Sequence, residues 1–216
     1  RMCGIFGFVS KEKIKAVPII IDGLKRLEYR GYDSSGLAMV LNSRIYSKKR
    51  AGRIFELEKV VNQNIESNIG IGHSRWATHG KPTNNNAHPH RDCTGKIHLV
   101  HNGIIENFKE LKIKLEKRGH TFRSYTDTEV AAHLMEDFFN KGATFEDAVR
   151  LALKSIVGTY AFVIINADSP TTMIVARNSS PLLVGFSDTH KFVASDASAI
   201  LPHTRKVIYL HDGEFA

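Results

Sequence analysis

The sequence predicts an α+β fold in which sheets pack against helices, and two observations carry that expectation. Apolar runs of strand length gather toward both ends of the chain, and stretches with helical spacing fill the middle. Residues 5–9 read as a buried strand, and 16–27 as a helix with Ile20, Leu24 and Leu27 on one face. Residues 37–41 and 45–48 read as strands joined through Asn42-Ser43, and 55–64 as a helix. Strands follow at 69–73 and 98–101, then an amphipathic helix over 108–118 that Gly119 stops. Thr126-Asp127-Thr128-Glu129 has the spacing of a capping box and opens a helix to about residue 140. Another helix covers 145–156. Four short strands come next, at 160–166, 172–177, 182–185 and 191–194, with Pro170 and Pro181 in their connections. Residues 207–210 and 214–215 read as a last hairpin around Asp212-Gly213. There is no internal repeat, low-complexity tract or linker.

A chain of 216 residues fits one large domain, with two small ones as the alternative. Hydrophobic content of 42% and charged content of 24% are those of a soluble globular protein with its own core. No apolar run approaches the ~18 residues that span a bilayer. The apolar start is short and runs into Lys11, Glu12 and Lys13, unlike a signal peptide, so a cytoplasmic protein is expected. Two cysteines are too few for a disulfide framework; reduced thiols are expected, with a Cys3–Cys93 bridge as the alternative. The net charge of +8 raises nucleic-acid binding. The basic residues are scattered and lack interleaved aromatics, so neither nucleic acid nor a membrane is an expected partner.

Several stretches carry chemistry. Cys3 opens a short apolar strand and by residue type is a small core hydrophobe. Its place behind Met2 gives a second reading. A cysteine freed by methionine removal carries an α-amine of pKa ~8, against ~10.4 for lysine. Base and nucleophile then share one residue. The stretch Gly72-His73-Ser74-Arg75-Trp76-Ala77-Thr78-His79-Gly80-Lys81-Pro82 is dense in hydrogen-bonding groups. It is either a solvated loop or a substrate clamp, with Arg75 offering a planar fork to a carboxylate, Thr78 and His79 adding hydrogen bonds, and Trp76 acting as a lid. Asn102-Gly103 is by residue type a tight hairpin turn; the functional reading is an oxyanion hole. Asp127 caps a helix or receives an ammonium group. His88-Pro89-His90-Arg91-Asp92-Cys93 raises a zinc reading, but no second half-site of matching spacing stands out, so a loop and no metal are expected.

Together these pieces resemble one family. Cys3-Gly4-Ile5-Phe6-Gly7 is similar to the start of class II, N-terminal-nucleophile, glutamine amidotransferase domains. The stretches 27–36, 73–80, 86–90, 101–107 and 126–129 narrow the likeness to the amino-sugar branch, the glutamine–fructose-6-phosphate aminotransferases or glucosamine-6-phosphate synthases. The resemblance spans nearly the whole chain. It implies a four-layer αββα sandwich of the N-terminal-nucleophile hydrolase type, with residues 1–216 forming one glutaminase domain and no cofactor. Cys3 would attack the side-chain amide of L-glutamine, with Asn102 and Gly103 as oxyanion donors. Arg75 would hold the α-carboxylate and Asp127 the α-ammonium, with Trp76, Thr78, His79 and His88 supporting the pocket. Ammonia would pass to a C-terminal fructose-6-phosphate isomerase domain in a homodimeric full-length protein. Those isomerase domains are absent from this sequence, so it is expected to release free ammonia. Arg1 and Met2 give Cys3 an amide nitrogen where an amine is needed. Arg1 is expected to be a leftover of expression, and the chain so capped a weak or inactive hydrolase. The rivals are another class II amidotransferase, of the purine-pathway phosphoribosyl or asparagine synthetase kind, and a catalytically silent glutamine-binding module.

Overall fold

The computed structural model describes residues 3–30, 32–76 and 81–216. The sequence-predicted pocket residues Thr78 and His79 lie outside them. Among the described residues no helix is long and apolar enough to cross a membrane.

The chain opens with strand β1 (Gly4–Lys15), whose register against its neighbour shifts between Val9 and Ile14. Helix α1 (Ala16–Leu27) then spans the predicted residues and buries Ile20, Leu24 and Leu27. Strands β2 (Ser34–Leu41) and β3 (Arg44–Ala51) form a hairpin. Asn42 and Ser43 both take positive φ there, as a tight two-residue turn requires. The helix expected over 55–64 is a single short α2 (Ile54–Glu58). It buries Ile54 and Leu57; Val61 beyond it is buried in the same core but lies in the turn that follows the helix.

Strand β4 (Glu66–Arg75), the two-residue β5 (His90–Arg91) and β6 (Ile97–Ile105) follow. Helices α3 (Phe108–Glu116), α4 (Glu129–Asn140) and α5 (Phe145–Ser155) come next, then strands β7 (Gly158–Asn166), β8 (Met173–Asn178), β9 (Leu183–Phe186), β10 (His190–Ala194) and β11 (Val207–Tyr209). Thr144 caps α5, its hydroxyl accepting from the Asp147 N–H.

Two antiparallel sheets result, one of seven strands in the order β11-β9-β10-β1-β4-β2-β3, the other of four in the order β5-β6-β7-β8. Side chains alternate across each strand, so one strand feeds two cores. On β1, Phe6 and Phe8 pack under α1 and α2 with Leu24, Leu37 and Leu57. Ile5 points the other way and meets Ile71, Val100, Val163 and Val175 between the sheets. Beyond the second sheet, Leu99, Phe162 and Ile164 pack against Val130, Met135 and Val149 of α4 and α5. The layers therefore run helix, sheet, sheet, helix: the αββα sandwich of the expected α+β class.

Three local expectations are corrected. Asn102 and Gly103 do not form a hairpin turn; they lie within β6, paired with Ala161 and Tyr160 of β7. The capping box does not form, because both polar members have other partners. The Glu129 carboxylate accepts from the Arg123 and Ser124 N–H groups, and the Thr126 hydroxyl bonds to Ser124 and His90. The last hairpin is also absent: β11 joins the seven-stranded sheet, while Phe215 bridges Ala176 in the other. The Asp212-Gly213 turn thus crosses between sheets.

Candidate active site

A cleft of about 230 Å3 opens where the two sheets meet, and both contribute to its lining. From the seven-stranded sheet come Cys3, just before β1, and Arg75 and Trp76 at the end of β4. These ends are adjacent because Gly4 pairs with Ser74. From the four-stranded sheet come Asn102 and Gly103 of β6. Asp127, just before α4, closes the far side.

Cys3 is half-buried and held by backbone: the Trp76 N–H donates to its Sγ at 3.1 Å, and Sγ lies 3.5 Å from the Trp76 carbonyl. Burial raises the thiol pKa, outweighing the Trp76 hydrogen bond and the Arg75 charge, which lower it. The resting sulfur is therefore a neutral thiol that needs a base. Ser195 fixes the strand behind it, its hydroxyl accepting from the Ile5 N–H at 3.0 Å. Cys3 and Cys93 are both free thiols, not bridged.

The Asn102 amide lies over the same residue. Its Nδ2 donates to the Cys3 carbonyl at 2.9 Å, and its Oδ1 accepts from His73 Nε2 at 2.9 Å. These partners fix which way the amide faces, and the second Nδ2 hydrogen remains for a ligand. Gly103 has φ +129°, and a Cβ there would lie 2.1 Å from the Thr159 carbonyl, so only glycine suits this point of the strand.

His73 is fully buried, and burial lowers its pKa to about 3. Its Nε2 faces two acceptors, Asn102 Oδ1 and the His101 carbonyl, so the neutral ring carries its proton there. His88 stacks on it at 4.2 Å between centroids, and His88 Nδ1 accepts from the His101 N–H. A Cβ on Gly36 would lie 2.1 Å from the His88 carbonyl, which shows how closely this segment crosses β2. Burial likewise holds the His88 and His90 pKa values well below the ordinary range.

The cleft holds opposite charges. Arg75 is buried, and burial lowers its pKa while Asp33, Cys3 and Asp127 act to raise it. Asp127 is tethered by the Ile105 N–H, which donates to its Oδ2 at 2.7 Å. Of the sequence-predicted site residues, Cys3, Arg75, Trp76, His88, Asn102, Gly103 and Asp127 thus line one cleft. The sequence reading gave no role to His73, His101 or Thr128, whose hydroxyl meets His101 Nδ1 at 2.8 Å. All three lie inside stretches that carried the resemblance.

Residues 73–202 match the model of a family described as the glutamine amidotransferase domain, more than half of the chain. The chain belongs to that family. It is 54% identical over 215 residues to the glutamine–fructose-6-phosphate aminotransferase (isomerizing) of Pyrococcus horikoshii, and 53% identical over 216 residues to that of Thermococcus kodakarensis. These alignments cover 99% and 100% of this chain but 36% of each relative. Among solved structures, the glutamine phosphoribosylpyrophosphate amidotransferase from B. subtilis superposes with a TM-score of 0.81 at 31% identity, covering 99% of this chain and 46% of that one. The chain is thus a glutamine amidotransferase domain with the class II, N-terminal-nucleophile fold.

Proposed function

We propose that this domain hydrolyses the side-chain amide of L-glutamine through a thioester on Cys3. The observation that carries the reading is the convergence on one cleft of the Cys3 thiol, the Asn102 amide, and a cation and an anion, Arg75 and Asp127. A free amino acid is a zwitterion. The planar Arg75 fork suits its α-carboxylate, and the Asp127 carboxylate its α-ammonium. Holding both ends sets the amide carbon against Sγ, which is catalysis by positioning.

When Cys3 is the first residue, its α-amine takes the thiol proton as sulfur attacks the amide carbon. The carbonyl π electrons move to oxygen, where Asn102 Nδ2 and the Gly103 N–H receive the negative charge. The ammonium returns the proton to the leaving nitrogen, ammonia departs, and water then releases glutamate from the thioester. Trp76 and His88 line the cleft beside the bound substrate, and Thr78 and His79 are proposed to add hydrogen bonds to glutamine. With Arg1 and Met2 attached, the Cys3 nitrogen is an amide and has no basic lone pair.

The ammonia is proposed to serve a C-terminal domain that converts fructose 6-phosphate to glucosamine 6-phosphate. Support comes from the identity to the aminotransferases, 54% against 31% for the phosphoribosylpyrophosphate enzyme, and from the 36% of the relative's length that this chain spans. The test is covalent trapping. A chain beginning at Cys3 is treated with an electrophilic glutamine mimic such as a diazoketone, then analysed by peptide mass spectrometry. The expected adduct sits on Cys3 and is suppressed by glutamine. An adduct on Cys93 alone, or labelling indifferent to glutamine, overturns the reading.

A further inference from the structure

Away from the cleft, one corner of the molecule gathers side chains of the kind that hold a transition metal. Cys93 lies in the turn between β5 and β6, His120 between α3 and α4, and His133 and Glu136 on one face of α4. One ligand atom from each lies within 4.8 Å of all the others. Cys93 Sγ is 3.5 Å from His133 Nδ1 and 3.9 Å from His120 Nδ1. Glu136 Oε2 is 2.9 Å from His120 Nδ1 and 3.2 Å from His133 Nδ1. Tetrahedral zinc with bonds of ~2.0–2.3 Å requires ligand–ligand edges of ~3.3–3.6 Å. Four of the six edges, at 2.9, 3.2, 3.5 and 3.9 Å, thus lie close to that geometry, and the other two are within 4.8 Å.

A second observation concerns the outer nitrogens of the two rings. His133 Nε2 lies 3.5 Å from Glu129 Oε1, and His120 Nε2 lies 3.8 Å from Asp137 Oδ1. The buried His133 Nε2 makes no closer hydrogen bond. A carboxylate facing the outer nitrogen keeps the proton there and leaves Nδ1 as the ligating lone pair, the usual support of a metal-bound histidine. The sulfur also accepts from the Thr121 N–H at 3.3 Å, which fixes its position toward the two rings. One thiolate and one carboxylate balance a divalent cation.

We propose that Cys93, His120, His133 and Glu136 form a closed zinc site that pins α4 to the β5–β6 turn. Four protein ligands leave no open position, so the role is structural, and the mixed sulfur and imidazole set selects zinc over magnesium or calcium. The helix it anchors begins two residues after Asp127. This site departs from the sequence-based expectation of no metal: it takes Cys93 but neither His88 nor His90, and its histidines lie 27 and 40 residues downstream of the cysteine.

The test is metal analysis of the untagged whole chain, followed by chelator stripping and back-titration with zinc against a competing chromophoric chelator. The expected results are one zinc per chain, a melting temperature lowered by stripping and restored by zinc, and a thiolate-to-metal charge-transfer band on cobalt substitution. That band is expected to persist in Cys3→Ala and vanish in Cys93→Ser, with zinc affinity in the latter weakened at least tenfold. Should Cys93→Ser fail to fold, the stripped natural chain and its cobalt spectrum still decide the matter. A chain that purifies without metal, binds no zinc on titration and gives no thiolate band with cobalt contains only a hydrogen-bonded network there, and the proposal is overturned.

Discussion

The two free thiols of the chain stand in contrasting surroundings. Cys3 is held by the Trp76 backbone beside an amide, an arginine and an aspartate, and its sulfur faces a cleft with room for a ligand. Cys93 is ringed by two imidazoles, 3.5 and 3.9 Å from its sulfur, and a carboxylate, with the four ligand atoms within 4.8 Å of one another. Residue type is the same, and burial raises both pKa values. What differs is the partner set: opposite charges across an open space suit a zwitterionic substrate, whereas lone pairs converging on one point suit a cation.

The contrast breaks most sharply at the cysteines themselves. Cys3→Ala is expected to lower glutamate release by roughly 10,000-fold while leaving metal content unchanged. Cys93→Ser is expected to lose the metal and to keep kcat within a few-fold at temperatures where the fold holds. Parallel kinetics and metal analysis check both, and the exchange of these outcomes would undo the comparison. On the cleft side, Asn102→Ala is expected to cost about 100- to 1,000-fold in kcat with KM little changed, since the lost donor serves the transition state.

These two residues also mark where residue patterns stop being informative. Helix α1 was legible to its last residue because Ile20, Leu24 and Leu27 repeat at helical spacing and nothing distant overrides them. Asn102-Gly103 has the residue types of a turn, yet β7, more than fifty residues on, claims the segment as a central strand. Residue types left the turn and the oxyanion hole both open for this pair, and the likeness of whole stretches to the family favoured the second. The expected capping box failed for the same reason: Glu129 and Thr126 meet groups that only the folded chain brings near. The Cys93 corner was least legible. Only His133 and Glu136 share a recognisable helical spacing, and the other two ligands arrive from separate loops.

Acid tests the histidines held between the layers. Burial lowers the pKa of both His73 and His98 to about 3, below the unfolded value of ~6.5. The unfolded chain therefore takes up protons first. Stability from these residues is complete above pH 6.5 and is lost as pH falls toward 3, by about 2 kcal/mol per histidine at pH 5. Urea midpoints at pH 7 and pH 5 check this. His73→Asn is expected to flatten the decline, and an unchanged midpoint at pH 5 in the natural chain would contradict neutral burial. The smallest expected effect is that of Arg75→Lys, which keeps the charge and loses the fork. A KM for glutamine raised roughly tenfold, with kcat changed less, is expected from initial rates.

The most direct measurement is glutamate release from L-glutamine by two forms of the chain, one with Arg1 and Met2 and one beginning at Cys3. The account predicts turnover in the trimmed form and at least a hundredfold less in the extended one, because only the former offers an α-amine as base. Equal turnover in both forms would contradict the role of that amine. Failure of both to turn over glutamine, with the fold intact, would contradict Cys3 as the nucleophile of a self-sufficient glutaminase.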